Sequence, residues 1–419
     1  MSTNLKIKLS LYINYFVFAI LLNSVGIVIA KSINVYGVDE KAASILEAFK
    51  DLPIAIVSFF IASFLPRLGY KRAMLIALAI VFIGCLGMRF GNSFWAAKMM
   101  FLSVGVSFAL IKLSVYSLVG VVTDSPRQHS ALMSSVEGFF MVGIASAYFL
   151  FPAFYSEADT NAWLNVYLLL CGGIVVSFLF LVLSNVQIPA PTAGANWKED
   201  IKSSLSLIAV PLVLVFICSA FFFVMIEQGI MTWLPRFNEK IFSFSEKLSV
   251  QMASLLAISL AVGRFVAGWL SKKISWAVIV IGCALLSIAL LLAILPQLNV
   301  AATVTRLANI SDVPVMGFML PLIGLFIAPI YPLLNSTVLS HLPKNLHSPM
   351  SGLIIIFSAL GGTLGSRIVG ILFGEVGGVK AFYVLLIPMV LLIVSVLVIQ
   401  RIIKRKSQSD AAATANVAA

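Results

Sequence analysis

Charge is scarce in this sequence. Only 11% of its residues are Asp, Glu, Lys or Arg, and 61% are hydrophobic. A soluble globular domain carries about 25% charged and about 45–50% apolar residues. A chain this poor in polar groups cannot cover its own surface in water, so the apolar excess must face lipid. Acidic residues are the scarcest: 16 Asp and Glu against 28 Lys and Arg leave a net charge of +12. In a soluble protein that surplus would point to nucleic acid. Here it reads as the basic bias of cytoplasmic loops, with no nucleic-acid partner. Long polar stretches are missing too, which excludes a separate soluble domain.

Chemistry-bearing motifs are equally sparse. The four cysteines, Cys85, Cys171, Cys218 and Cys283, each sit in a different apolar run with no CxxC pair. They read as small buried residues rather than disulfides or metal ligands. His129, His341 and His347 lie at or near helix ends without metal-ligand spacing. No GxxxxGKS/T loop, HExxH helix, GxSxG elbow or TVGYG filter occurs. Their absence argues against ATP-driven transport, metalloprotease or serine-hydrolase chemistry and a potassium channel. No cofactor, metal or enzymatic activity is expected.

What the sequence has is apolar runs. A span needs roughly 17–25 mostly apolar residues. Twelve are expected, over 8–32, 44–65, 72–90, 95–123, 129–153, 162–185, 207–234, 248–270, 274–295, 313–340, 349–374 and 379–402. The runs are continuous rather than alternating, so they predict helices and not a barrel. Lys6 and Lys8 ahead of the first run resemble a secretory leader, but the run from Leu9 to Ala30 is too long for a leader core. It reads as a retained first span. The longest polar connector, 186–206, divides the spans six and six. The expectation is an all-α integral membrane protein: a six-helix bundle over 1–185, a linker over 186–206, a second bundle over 207–403 and a disordered tail over 404–419. Basic residues such as Lys71, Arg72, Lys272, Lys273, Lys404 and Arg405 fall on the N-terminal side of the alternating loops. This predicts both termini in the cytoplasm and the inner cell membrane as location.

Two segments carry a family resemblance. FLPRLGYKRAML, with Arg67, Gly69, Lys71 and Arg72, resembles the short basic loop between spans two and three of the major facilitator superfamily. A degenerate counterpart, GRFVAGWLSKK, holds Gly263, Arg264, Gly268, Lys272 and Lys273. The runs GLFIAPIYPLLNS and SGLIIIFSALGGTLGSRIVG resemble the fucose–proton symporter branch, with a proline-broken tenth span and a Gly-Gly eleventh. The resemblance implies a monomeric secondary transporter that moves a small polar solute by alternating access with protons as the coupling ion. The branch's acidic residue in the first span is absent, where Asn14 and Asn23 stand. Its glutamate in the fourth span is replaced by Lys112, and its glutamine in the fifth by Glu137. Its coupling residues therefore do not transfer, and the substrate stays open between a sugar and an organic anion. A proton-driven exporter of drugs or siderophore-like metabolites is the alternative within transport. An intramembrane enzyme or a receptor has no convergent nucleophile set or sensory domain to support it.

Each charge inside a span is a candidate functional group, because burial there is expensive. Helix rise puts Lys112 roughly 16 Å and Glu137 roughly 13 Å from the inner face, both near the midplane. A central Lys112–Glu137 pair is the leading expectation, with Glu137 exchanging protons. Glu227 and Gln228 are expected at the outer rim, and Arg367 near them, able to pair with Glu227 or attract an anion. Arg264 is assigned with Arg67, Gly69, Lys71 and Arg72 to the gating motif. Asn23, Tyr331 and Asn335 are polar candidates, the last two sharing a face at i,i+4. Gly361, Gly362 and Gly365 read as helix-packing positions. Glu47, Lys50 and Asp51 are expected to form a solvated structural cluster at the start of span two.

Overall fold

Lipid offers a backbone N–H or C=O no hydrogen-bond partner, so each crossing segment must satisfy its own. The computed structural model describes residues 3–61, 65–123, 125–184, 206–298, 306–343 and 346–418. Its apolar runs are all helical, and the sole strand-like pairing among the described residues is an isolated bridge between Phe244 and Leu307. Span one is Thr3–Asn23 and, past Ser24, Val25–Tyr36; span two is Ile45–Ile61. Spans three to six are Tyr70–Gly91, Phe94–Val121, Pro126–Ala153 and Val166–Val182. Spans seven to nine are Pro211–Ile241, Glu246–Leu270 and Trp276–Ile294. Span ten runs in pieces from Val315 to Ser340, span eleven is His347–Val376 and span twelve is Leu386–Ala418. Eleven of these are long and apolar enough to cross a membrane. Span two is shorter, with 17 described residues carrying Glu47, Lys50 and Asp51.

Local chemistry sets the ends. Ser93 accepts from the Ala96 N–H at 3.2 Å and opens span four; Ser125 does the same for span five through Gln128 at 3.3 Å. Gly69 sits at φ +85°, a conformation a side chain rarely adopts, and turns the chain into span three. Span ten breaks at Pro321 and Pro329, which lack the N–H that a continuous ladder needs. The expected linker over 186–206 lies outside the described residues except for Ser206. The backbone of span twelve is helical through 404–418, the stretch expected as a disordered tail. Ala411, Ala412, Ala413 and Ala415 are the strongest helix formers and favour that continuation.

The two halves repeat the same packing. A Cβ on Gly143 would come within 2.6 Å of the Phe16 carbonyl oxygen, so span five lies tight on span one. Gly361 and Gly365 do the same for span eleven on span seven, where a Cβ would overlap the Phe221 and Met225 carbonyls. Gly105 brings span four onto span two at Lys50, and Gly324 brings span ten onto span eight at Leu256. Small residues permit this approach, and dispersion between the touching backbones holds it. The matching pairs, five on one with eleven on seven and four on two with ten on eight, are the signature of two parallel six-helix halves.

After twelve crossings the chain returns to the face from which it started, here termed the terminal face. At the opposite face a polar network ties the halves together. Lys31 meets Glu246 at 2.5 Å, and Asn34 donates to Glu246 at 2.7 Å and Glu239 at 3.1 Å. Arg236 bonds Glu40 at 2.9 Å, Glu239 at 3.0 Å and the Asn34 carbonyl oxygen at 2.9 Å. Lys31 and Arg236 are buried here. Just below, span one meets span seven so closely that a Cβ on Gly26 would overlap the Thr232 carbonyl oxygen. Among the described residues, every ion pair between the halves at this face draws one partner from 31–40 and the other from 236–246.

Two predictions follow from the packing. Arg236→Ala leaves Glu40 and Glu239 short of their cation, a change of about 3 kcal/mol against closure. Spin labels at Val38 and Lys240 then give a longer distance distribution by double electron–electron resonance, and an unchanged distribution contradicts the latch. Gly361→Val forces spans seven and eleven apart and lowers stability by about 1–3 kcal/mol, read as a fall in the detergent-solubilised unfolding midpoint.

Candidate functional site

Between the halves lies a cavity of about 860 Å³. The N-terminal half contributes Asn23, Lys50, Asp51, Phe108, Lys112, Glu137 and Phe140 to its wall; the C-terminal half contributes Glu227, Gln228, Arg264, Tyr331 and Asn335. Eight residues picked out from the sequence therefore meet in one place. Such a volume suits a small solute, since ligand pockets run about 300–1,000 Å³. Its apolar walls carry few water partners, so each polar group in it is available to a ligand or tied to a neighbour.

The central pair is not a direct ion pair. Among the described residues Lys112 and Glu137 are not within 4.0 Å of each other as a salt bridge. Glu137 instead accepts from the Tyr116 hydroxyl at 3.0 Å, one helical turn beyond Lys112 on span four. Lys112 stands 5.9 Å from the Phe108 ring centroid. The two charges share the cavity but keep separate partners, so the expectation of a closed pair is corrected.

One depth assignment and the surroundings of two arginines are also corrected. Span seven runs to Ile241 rather than 234, so Glu227 is the seventeenth of its 31 residues and lies centrally, not at a rim. Its Oε1 faces the Arg264 guanidinium at 3.7 Å. Arg264, expected in a gate between helices, points into the cavity and donates to the Met141 sulfur at 3.5 Å, bridging spans eight and five. Arg367 lies elsewhere. It donates to the Lys41 carbonyl oxygen and to Ser44 Oγ at 3.0 Å, and so fastens the turn ahead of span two to span eleven. It neither lines the cavity nor pairs with Glu227.

Glu47, Lys50 and Asp51 are not solvated. Glu47 is fully buried, Lys50 is 4% exposed and Asp51 9%. Lys50 Nζ binds Glu47 Oε1 at 2.5 Å and Asp51 Oδ1 at 3.4 Å. Glu47 Oε2 accepts from Thr232 Oγ1 of span seven at 3.0 Å. Span one reaches Tyr36 rather than 32, and a further helical turn, Glu40–Ala43, precedes span two. The membrane rim is therefore farther out, and these charges lie below it. Three ionisable residues within five positions of a span was the signal available in the sequence.

The remaining candidates divide between the cavity and the terminal face. Asn23 turns its amide back to the Ala19 carbonyl at 2.8 Å. Tyr331 stacks on Phe223 at 5.3 Å and shares a hydrogen bond with Ser358 at 3.3 Å. Asn335 Oδ1 is buried without a partner, an acceptor open to a ligand. Gln228 lies beside Gly362, where a Cβ would meet its Cγ at 3.1 Å. The basic loop serves the scaffold: Lys71 donates to the Ser184 carbonyl at 2.5 Å and Val182 at 3.1 Å, capping the end of span six. Arg72 is exposed beside it, and Arg67 falls in the short helix Leu65–Leu68.

Comparison with known proteins agrees with this architecture. The family model of the Major Facilitator Superfamily matches residues 11–366. No curated protein sequence matches. A bacterial homologue of the human lysosomal transporter Spinster, solved inward-facing and unoccupied, superposes with a TM-score of 0.73 at 14% identity, over 95% of this chain and 96% of that one. The nucleoside transporter NupG gives 0.72 at 12% identity, over 95% and 100% of the two chains. The E. coli fucose:proton symporter FucP gives 0.62 at 14% identity, over 95% and 99%. At such identities the likeness speaks for the fold, and the matched family model carries the membership: this chain belongs to the Major Facilitator Superfamily and is a multi-pass membrane transporter, not an enzyme.

Proposed function

We propose that this protein carries a small hydroxylated organic anion across the inner cell membrane by alternating access, as a monomer and together with protons. The observation that carries this reading is the state of Lys112. Lys50 has Glu47 and Asp51, and Arg264 has Glu227, whereas Lys112 has no carboxylate within 4.0 Å among the described residues. An unmatched ammonium beside a cavity is a docking point for a carboxylate or phosphate. Asn335, Gln228, Asn23 and Tyr331 supply amides and a hydroxyl suited to a solute's hydroxyl groups, with Phe108 and Phe140 against its carbon face. Glu137, held by Tyr116, faces the same cavity as an acceptor for a solute hydroxyl.

The basic residues of the terminal face put that face in the cytoplasm, with both chain ends. The polar latch then closes the outer side, and this conformation presents its cavity inward. Proton coupling and sugar transport in a structural neighbour support the class of cargo without naming it. A neutral sugar is the second reading, favoured by the amides of the cavity wall.

The test is thermal stabilisation of the purified protein by a panel of sugars, organic acids and drugs, with wild type and Lys112→Ala side by side. A ligand that binds only the folded state raises the midpoint with its concentration over its affinity. The expected result is an organic-acid hit that Lys112→Ala weakens by about ten- to a hundredfold, equal to about 1.4–2.7 kcal/mol. A sugar hit indifferent to Lys112→Ala moves the cargo to neutral sugars and leaves Lys112 structural. For a confirmed hit, uptake into right-side-out and inverted vesicles separates an importer from an exporter.

A further inference from the structure

We infer that the proton is carried at Asp51, within the buried Glu47–Lys50–Asp51 triad, and not at Glu137. The inference rests on the proton-coupled reading above and locates its proton. Two carboxylates converge on one ammonium there: Lys50 Nζ is 2.5 Å from Glu47 and 3.4 Å from Asp51. Fully ionised, the triad holds an uncompensated negative charge, with Glu47 fully buried and Asp51 only 9% exposed. Such a charge is expensive unless matched. The neighbouring elements do not match it. Span seven offers Glu227, already paired with Arg264, and the neutral Gln228 and Thr232. Span five offers the Tyr148 phenol near Glu47. Span eleven offers Gly362 at Asp51, and its Arg367 is engaged one turn away at Lys41 and Ser44. One proton shared into the triad brings it to neutrality, as in other carboxylate pairs around a single site.

Access decides which carboxylate takes the proton. Glu47 is fully buried and already accepts from Thr232, whereas Asp51 lines the cavity. A proton entering through the cavity reaches Asp51 first. Glu137 is the poorer candidate, because its Oε1 is already engaged by the Tyr116 hydroxyl and the cation Lys112 stands in the same wall. Position also gives the proton leverage. The triad belongs to span two, yet Glu47 bonds span seven and Asp51 Oδ2 lies where a Cβ on Gly362 of span eleven would come within 2.7 Å. Loading or releasing a proton therefore changes the charge at a contact between the halves, directly beneath the latch.

Infrared difference spectroscopy of the protein in lipid nanodiscs, stepped from alkaline to acidic pH, tests this with protons as the only probe. Wild type is expected to gain the carbonyl band of a buried protonated acid. Asp51→Asn, nearly isosteric, should lose it, and Glu137→Gln should keep it. If Asp51→Asn does not fold, wild type grown with carbon-13 aspartate should show the band shifted, and carbon-13 glutamate should leave it in place. In parallel, the spin-label distance across the latch should change with pH in wild type and not in Asp51→Asn. A band that survives Asp51→Asn, follows the glutamate label, or never forms in wild type overturns the assignment. No substrate enters these measurements. An organic-acid panel without hits therefore counts against the cargo reading alone, and a missing band counts against Asp51 alone.

Discussion

Everything in this molecule answers to one constraint: inside lipid a polar group has no partner except another part of the protein. The backbone meets it by folding into helices, and it departs from them only where something else takes over. Span ten breaks at Pro321 and Pro329, and the second break leads into Tyr331 and Asn335, which line the cavity. Charges obey the same rule. Lys31 and Glu246, Lys50 and Glu47, and Arg264 and Glu227 face each other at the latch, at the triad and in the cavity wall. The lipid-facing surface is left to residues such as Ile83, Phe90, Leu183 and Ile387.

That concentration explains how two bundles of near-featureless helices can move as units. Within each half, glycine-mediated contacts bring helix backbones directly against one another. Between the halves, the strong contacts at one face are hydrogen bonds and ion pairs, which have definite partners and can be traded for water when that face opens. A packed apolar seam resists sliding, because every displacement opens voids. A polar latch has two discrete arrangements, bonded and hydrated, and so serves as a two-state element.

The sequence displays depth along a helix far better than direction around it. Lys112 and Glu137 interrupt long apolar runs, so counting residues places them near mid-membrane, and both reach the cavity. Arg264 and Arg367 were as visible, but depth alone cannot say which neighbour a side chain turns toward. One enters the cavity, and the other binds the turn before span two. Glu47, Lys50 and Asp51 failed for a different reason. An error of four residues in a helix end moves the rim by about 6 Å, enough to turn a buried triad into a solvated one. The basic loop around Gly69 was legible because a positive-φ turn needs glycine; that Lys71 caps span six was not, since the partner is a carbonyl far along the chain.

Charge balance joins the two proposed roles. The cavity and its triad hold three cations, Lys50, Lys112 and Arg264, against four carboxylates, Glu47, Asp51, Glu137 and Glu227. Empty, the site is net negative, and an anion approaching Lys112 meets that excess in a medium that screens it poorly. A proton on Asp51 removes the excess and leaves Lys112 free to attract. The anion in turn favours the proton, because coupling between two binding events is reciprocal. A cavity holding anion and proton together then carries the same net charge as the empty one, whereas a cavity holding the anion alone carries one negative charge more. The halves must bury whatever charge the cavity holds each time they close over it. On the two proposed roles, they therefore pass most easily through the two states of equal charge, which is the condition symport sets against a leak of either species.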